Sequence, residues 1–329
     1  MTRSHSTNAA QGHRPTISVI VPSYRRPLAL SHCLDGLVGQ RLAPGEILVV
    51  AREGDDETAA VVRDRVERGR SQVRLVPVAE AGVLAAMQAG AAASTGRVVA
   101  FIDDDAIAPD DWLERLVGLL TAHDVGAAGG RDVVAGVRGT PATDVGRITR
   151  LGGMVGNHHL GAGRARDVDV LKGVNIAFRR EALALPRRLR GGGAQVHWEV
   201  ATSQWARARG WRLVYDPSIA VDHRPASRFD ADQRDAPTAT ALSDAAFNYE
   251  RGLLAARPEL YWRRALYGTI VGQRDNPGLL RAAAAALSRD WSIAMRLRPS
   301  LAGRWSGLRA SRGDRLDMIT FQQPRTPGA

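Results

Sequence analysis

One cysteine, one lysine and no apolar run near the roughly 20 residues needed to cross a bilayer set the first limits on this 329-residue chain. Cys33 has no partner for an internal disulfide and sits in a helical pattern, where a lone thiol packs as a small apolar group. The first fifteen residues are polar and lack the apolar core of a signal peptide, so 1–15 is expected to be a disordered lead-in. With neither leader nor disulfide framework, the expected compartment is the cytoplasm. Lys172 stands alone among 44 arginines, a bias that points to base composition in the coding sequence more than to choice at each arginine. Aromatic residues are only 5% of the chain, yet the 44% hydrophobic share is that of a globular protein with a sizeable core.

The basic excess is uneven. The net charge is +11, and residues 251–329 hold fourteen arginines against five acids, a net of +9. Tyr261, Trp262, Tyr267, Trp291 and Trp305 interleave with those arginines. That pattern suits an anionic membrane surface, a small helical cap over the main domain, or an ordinary solvated face.

Strand-like and helix-like segments alternate through the first third. Thr16–Val21, Glu46–Val50, Val73–Val76 and Arg97–Ile102 are β-branched or apolar runs. Pro27–Gln40, Asp56–Arg68 and Gly82–Ala93 lie between them with helical spacing, and Pro109–Ala122 follows as a fourth helix. Such alternation predicts βαβ units and a mostly parallel sheet, with ligands beyond the carboxyl ends of its strands. Tyr24, Arg52 and Asp103–Asp105 all emerge there. Gly126–Gly163 is expected to be irregular loops and short strands, Val174–Phe178 a strand, and Pro186–Gln195 a mobile loop. A helix over Trp198–Arg209 and short strands at Trp211–Tyr215 and Ile219–Val221 follow, then a polar linker at Pro225–Pro237. Four amphipathic helices are expected beyond it, at Thr238–Ala256, Glu259–Val271, Gly278–Arg289 and Ser292–Arg298.

The organising stretch is Val98–Asp105, an apolar strand that ends in three consecutive acids. Adjacent carboxylates repel, so a strand tip keeps them either with a divalent cation or in a fully wetted turn. An Asp-x-Asp spacing lets one carboxylate reach a ribose hydroxyl while the other holds the ion. Glu199 either serves as a general base or complements the N-terminus of its helix. His223 is a metal ligand or a plain surface imidazole. Gly173 permits close backbone approach, and Asn175 could bond sugar hydroxyls, or the pair forms a simple turn.

Five blocks in order carry a family resemblance: Ser18–Arg26, Gly82–Gly90, Gly96–Asp105, Gly173–Arg180, and Glu199 with Gly210–Pro217 and His223. The chain resembles the family 2 glycosyltransferases, which have the nucleotide-diphospho-sugar transferase (GT-A) fold. The resemblance implies an inverting transfer of one sugar from a nucleotide-diphospho-sugar to an acceptor hydroxyl, with Mg²⁺ or Mn²⁺ as cofactor. It implies a donor site at Pro22, Ser23, Tyr24, Arg25, Gly82, Asp103 and Asp104, with Arg52 as a substitute base contact by stacking or hydrogen bonding, and an acceptor side at Gly173, Asn175 and Trp198. Asp105, Asp103 and His223 would hold the metal, and Glu199 would be catalytic.

The chain departs from the family pattern at several points. Arg52 stands where an acid usually follows the second strand, Met87-Gln88 where an Arg-Asn pair is common, and Trp198-Glu199 where a Glu-Asp pair is usual. Gln204-Trp205 is not the signature of processive synthases, so single addition is expected. The expected organisation is a GT-A domain over 16–224, with a nucleotide-binding half at 16–122 and an acceptor half at 123–224, followed by a basic helical region at 225–329. Enzymes of metal cofactor but other chemistry (nucleotidyltransferases) want glycines after the first strand, which Pro22–Arg26 lacks. A non-catalytic relative and a basic membrane- or nucleic-acid-binding protein are the remaining alternatives, though no specific nucleic acid is expected. Peripheral attachment to the inner face of the cell membrane is the expectation under the membrane reading of the basic region, beside the cap and solvated-face readings.

Overall fold

The computed structural model describes residues 16–229 and 237–322. The expected lead-in at 1–15 and most of the linker at 225–237 fall outside the described residues.

The first third folds as its pattern predicts. Strands β1 (Ile17–Ser23), β2 (Glu46–Arg52), β3 (Val73–Val78) and β4 (Val98–Ile102) alternate with helices α1 (Pro27–Val38), α2 (Asp56–Glu67) and α3 (Val83–Ala93). These four strands pair in parallel in the order β3-β2-β1-β4. Pro27 starts α1 at a position where no N–H is needed. Asp55 caps α2, accepting from the Thr58 N–H at 3.2 Å and its hydroxyl at 2.7 Å. The alanine-rich α3 lies close to the sheet because Gly90 rests on Ile20 and Val50, whose methyls a Cβ would meet at 2.5 and 2.9 Å.

After β5 (Ala106–Ile107) and α4 (Trp112–Leu119), the sheet continues through β6 (Val125–Val134), β7 (Asn175–Arg179) and β8 (Arg212–His223). Among the described residues it has nine strands, in the order β3-β2-β1-β4-β7-β6-β8-β5, with Arg166–Asp167 pairing onto β8. The strand β7 runs antiparallel between β4 and β6, while β6 and β8 are parallel to each other. One apolar core lies under α1, α2 and α4 on one face. A second lies on the other face, around Phe101, Phe178 and Trp198 of α5 (Trp198–Arg207).

Two expectations on this half need correction. The glycine-rich stretch after α4, expected as loops and short strands, opens with a long one, the ten-residue β6. The two short strands near the end are one twelve-residue β8 with a register shift between Asp216 and Ala220. A Cβ at Gly130 of β6 would overlap the Ile219 carbonyl at that bulge. Small residues are therefore what this pairing demands, and they hide the strand from a propensity reading.

Beyond the linker come α6 (Ala239–Ala256), α7 (Tyr261–Ile270), α8 (Leu279–Leu287), α9 (Trp291–Ala294) and α10 (Leu297–Gly313). The last expected helix is thus two, the second reaching fifteen residues past the expected end. α6 packs on α10 and on α5 through a third apolar core that includes Val200, Tyr249, Leu253 and Leu308. Its polar centre is Glu250, fully buried and shared by Arg264 (2.8 Å) and Arg304 (3.3 Å), both buried too. Met318–Thr320 then pairs with Ala184–Pro186, returning the chain to the sheet domain. No helix among the described residues is long and apolar enough to cross a membrane.

Candidate active site

A cavity of about 380 Å³ opens at the carboxyl ends of β1, β2 and β4, the place that a parallel sheet reserves for ligands. It is lined by Pro22, Ser23, Tyr24, Arg52, Gly82, Asp103, Asp104, Asp105, Gly173, Trp198, Glu199 and His223. Residues from seven separate stretches therefore meet at one cleft, a convergence that their positions in the chain only suggested.

Tyr24 and Arg52 form one wall. The Arg52 guanidinium lies 4.1 Å from the Tyr24 ring centre, and Phe229 meets that ring edge-on at 6.4 Å. A flat, cation-faced aromatic surface of this kind can take a heterocycle by stacking. Arg25 reaches the other way. Its backbone has φ +56°, its N–H donates to Asp55 Oδ2 at 2.8 Å, and it is not among the cavity-lining residues, although it lies 5.1 Å from the Tyr24 ring centre.

The three acids divide the work. Asp104 uses both oxygens on the protein, accepting from Ser23 Oγ at 2.8 Å and from Arg26 Nη1 at 2.8 Å. It therefore fixes β1 against β4 rather than offering a free carboxylate. Burial pushes its carboxyl up to about 6, against the pull of Arg26. Asp105 accepts from the Ala226 N–H through Oδ2 at 2.8 Å, while its buried Oδ1 has no hydrogen-bond partner and faces His223 Nε2 at 3.3 Å. Burial and the neighbouring Asp105 charge push Asp103 up to about 7. Against burial, His223 and the Ala226 N–H hold Asp105 below the usual carboxylate range.

Asp103, Asp105 and His223 each present a ligand atom, all within 4.8 Å of one another. Both ring nitrogens of His223 and one oxygen of Asp105 are buried without a hydrogen bond. Polar atoms orphaned in this way, in a two-carboxylate, one-imidazole set, fit a divalent cation. Without one, Asp105 and Asp132 raise the His223 imidazole to about 9, against burial.

Asp132 went unremarked in the sequence. It is fully buried on β6, lies 3.5 Å from His223 Nδ1, and forms an ion pair with Lys172 Nζ. His223 and Lys172 hold it down to about 2, against burial. The sole lysine of the chain thus lies at the cavity wall, in contact with the acid that also orients His223. Arg26 and Arg228 also line the cavity and were missed. The available signal was lysine's rarity in an arginine-rich chain, and it pointed elsewhere.

Glu199 stands in the first turn of α5, at the cavity. Burial pushes its carboxyl above the usual range, with its own N–H and the Lys172 charge pulling back. Trp198 packs over Gly173 so closely that a Cβ there would overlap the indole. The glycine admits the tryptophan; the backbone approach it allows is to Trp198. Gly82 has φ +119°, and Gln195 occupies the space a side chain would need, accepting the Leu84 N–H at 2.9 Å to cap α3.

Asn175, expected on the acceptor side, is not at the cavity. It is fully buried on the opposite sheet face, where Oδ1 accepts from Trp112 Nε1 at 2.8 Å and Nδ2 donates to the carbonyls of Arg131 (3.1 Å) and Ile219 (3.0 Å). The alternation of β7 turns its side chain toward α4, and it ties β6 to β8 instead of meeting a sugar.

An open α/β sheet whose strand ends gather acids, an imidazole and an aromatic–arginine wall has the layout of the GT-A fold. The family described as glycosyltransferase like family 2 matches residues 14–236, and the chain belongs to it: it is a glycosyltransferase. Glycosyltransferase AglE of Haloferax volcanii is 27% identical over 221 residues, 65% of this chain and 68% of that protein. A glucosyl-dolichyl phosphate glucuronosyltransferase of the same organism is 28% identical, over 63% of this chain and 69% of its own length. An uncharacterized glycosyltransferase of Nostoc is 31% identical, but the match spans only 34% of it. Among solved structures, Staphylococcus aureus TarS in complex with UDP-GlcNAc aligns at TM-score 0.60 with 13% identity, over 90% of this chain and 81% of that one. The mannosyltransferase PcManGT of Pyrobaculum calidifontis, in complex with GDP-Man and Mn²⁺, aligns at 0.52 with 19% identity, over 92% and 87%. These likenesses bear out the GT-A fold.

Proposed function

We propose that this chain transfers one sugar, with inversion at its anomeric carbon, from a nucleotide-diphospho-sugar to an acceptor hydroxyl. The observation that carries the reading is that Glu199 and the Asp103–Asp105–His223 cluster line one cavity with the Tyr24–Arg52 wall. The nucleobase stacks at Tyr24 and Arg52, and Asp103 bonds the ribose. Asp103, Asp105 and His223 would hold Mg²⁺ or Mn²⁺, which would supply positive charge against the diphosphate. Lys172, at the same wall, adds positive charge.

Glu199 accepts the proton of the acceptor hydroxyl as its oxygen bonds the anomeric carbon. The sugar–phosphate bond breaks on the opposite face, and its electron pair leaves with the nucleoside diphosphate. The upward-shifted carboxyl makes Glu199 a stronger base than a wetted glutamate, so activity rises with pH into a range above that of ordinary carboxylates. Trp198 and Gly173 shape the acceptor side. The neighbours bound to UDP-GlcNAc and to GDP-Man support the donor class. The setting is synthesis of a cell-surface polysaccharide, glycolipid or secondary metabolite at the cytoplasmic side of the membrane.

A thermal-shift screen of sugar nucleotides with Mn²⁺ tests this. One donor should raise the melting temperature, since a ligand at 100 times its Kd adds about 2.7 kcal/mol, and Asp105→Ala should abolish the shift. A flat response across UDP-, GDP- and dTDP-sugars with Mn²⁺ would overturn the donor reading.

A further inference from the structure

The helices after the linker turn part of their apolar surface outward. On α7, Trp262, Leu266 and Ile270 follow one another at four-residue steps on the exposed face, while Arg264, Ala265 and Gly268 face in. On α8 the usual polarity is inverted. The residues it buries are Ala282 and Ala285, and Leu279, Leu280 and Leu287 point to solvent, Leu287 at 87% exposure. Trp291 and Met295 carry the pattern past α9, Met295 at 78%. α7 packs on α8 and α8 on α9, so these side chains belong to one run of touching helices. Single exposed leucines need no explanation, but a succession of eight large apolar side chains does.

The charge around this face is strongly basic, with seven arginines from Arg257 to Arg298, besides the buried Arg264, against three acids, of which Asp290 lies near Arg274. Arg263, Arg274, Arg281, Arg289 and Arg298 are exposed, and none has an ion pair among the described residues. The three acids of the same stretch are already engaged. Glu259 pairs with Arg257 at 2.9 Å and Asp275 with Arg296 at 3.4 Å. Asp290 accepts from Ser292 Oγ at 2.6 Å and from the Ile293 N–H.

We propose that the outward face of α7–α9, with Trp262, Leu280, Leu287 and Trp291 inserted and the five arginines at its rim, docks on an anionic lipid bilayer. Leucine and tryptophan would enter the acyl boundary while the arginine stems lie along it and their heads reach the phosphates. Charge complementarity selects anionic lipid: the excess of arginine over acid gains from a negative surface, and a neutral one offers it nothing. The helices are too short to span and lie in the plane of the interface. This surface does not depend on the transfer chemistry proposed above, and its test measures no turnover.

Flotation of the full chain with vesicles of phosphatidylglycerol and phosphatidylcholine should show binding that falls as salt rises, and little binding to phosphatidylcholine alone. Leu280→Glu with Leu287→Glu should weaken partitioning more than about tenfold by removing two inserted side chains. Arg281→Gln with Arg289→Gln should weaken it about fivefold per arginine and flatten the salt dependence. All four side chains are exposed, so the melting temperatures should match the wild type. Brominated lipid should quench tryptophan emission, and Trp291→Phe should reduce that quenching. Wild-type protein that stays off phosphatidylglycerol vesicles, or a leucine double variant that binds like wild type, would overturn the proposal. So would a concentration-dependent dimer that the same leucine variant abolishes, because a second copy would then cover the face.

Discussion

Binding of a divalent cation to this protein should expel protons. In the cation-free site Asp103 is raised to about 7 by burial and the adjoining acids, and His223 to about 9 by Asp105 and Asp132 against burial. Near neutral pH the His223 imidazole is protonated and Asp103 holds more protons than an ordinary carboxyl. Coordination needs the carboxylate ionised and a ring nitrogen bare, so at least about one proton leaves per ion bound. Apparent affinity should therefore rise about tenfold or more from pH 6.5 to 7.5. The sign for the empty fold is opposite. The folded pKa of His223 lies above its unfolded value of 6.5, so its stabilising contribution is complete below about pH 6.5 and gone above about 9. Titration calorimetry with Mn²⁺ at pH 7, in two buffers of different ionisation enthalpy, counts the protons directly. His223→Ala should lower the count to about one or less, what Asp103 alone releases, since loss of the imidazolium pushes that carboxyl further up. Binding with no proton release, or with affinity unchanged across that pH interval, would refute the assignment of Asp103 and His223 as ligands.

Two further outcomes follow from the packing. Glu250→Gln removes the one carboxylate shared by the buried Arg264 and Arg304, and should cost about 3–5 kcal/mol in denaturant unfolding; a loss below about 1 kcal/mol would contradict the triad's role in holding α6, α7 and α10 together. Arg52→Ala removes the guanidinium over Tyr24 and should weaken nucleoside diphosphate binding about five- to thirtyfold, read by calorimetry, with stability unchanged.

The half of the fold with regular chemistry was legible: β1, β2 and β4 have largely apolar centres, β3 is a short run broken only by Arg74, and α1 to α3 repeat at helical spacing. What escaped had a tertiary cause. The first half of β6 after Val125 is glycine and alanine because Gly130 faces the β8 bulge, Gly126 faces Trp211 and Gly129 faces Leu171, so its pattern resembles a loop. α10 is rich in arginine and glycine, and Gly303 and Gly307 let it approach the backbone of α6, a fit visible only once both helices exist. At the site, residues that follow strand ends were found because topology gathers such positions. Asp132 was not, since it lies within a strand and matters only through Lys172 and His223, which are distant in sequence. Asn175 misled for the converse reason: an amide beside a glycine suggests a ligand contact, and strand alternation sent it into the core.

The central claim is that Glu199 takes the acceptor proton in a cavity whose acids hold the donor. Glu199→Gln keeps the shape and removes the base. Measured on the donor identified by the screen, this variant should bind the sugar nucleotide with Mn²⁺ as the wild type does and lose transfer by about 10²–10⁴-fold. Donor binding intact with transfer undiminished would contradict the account.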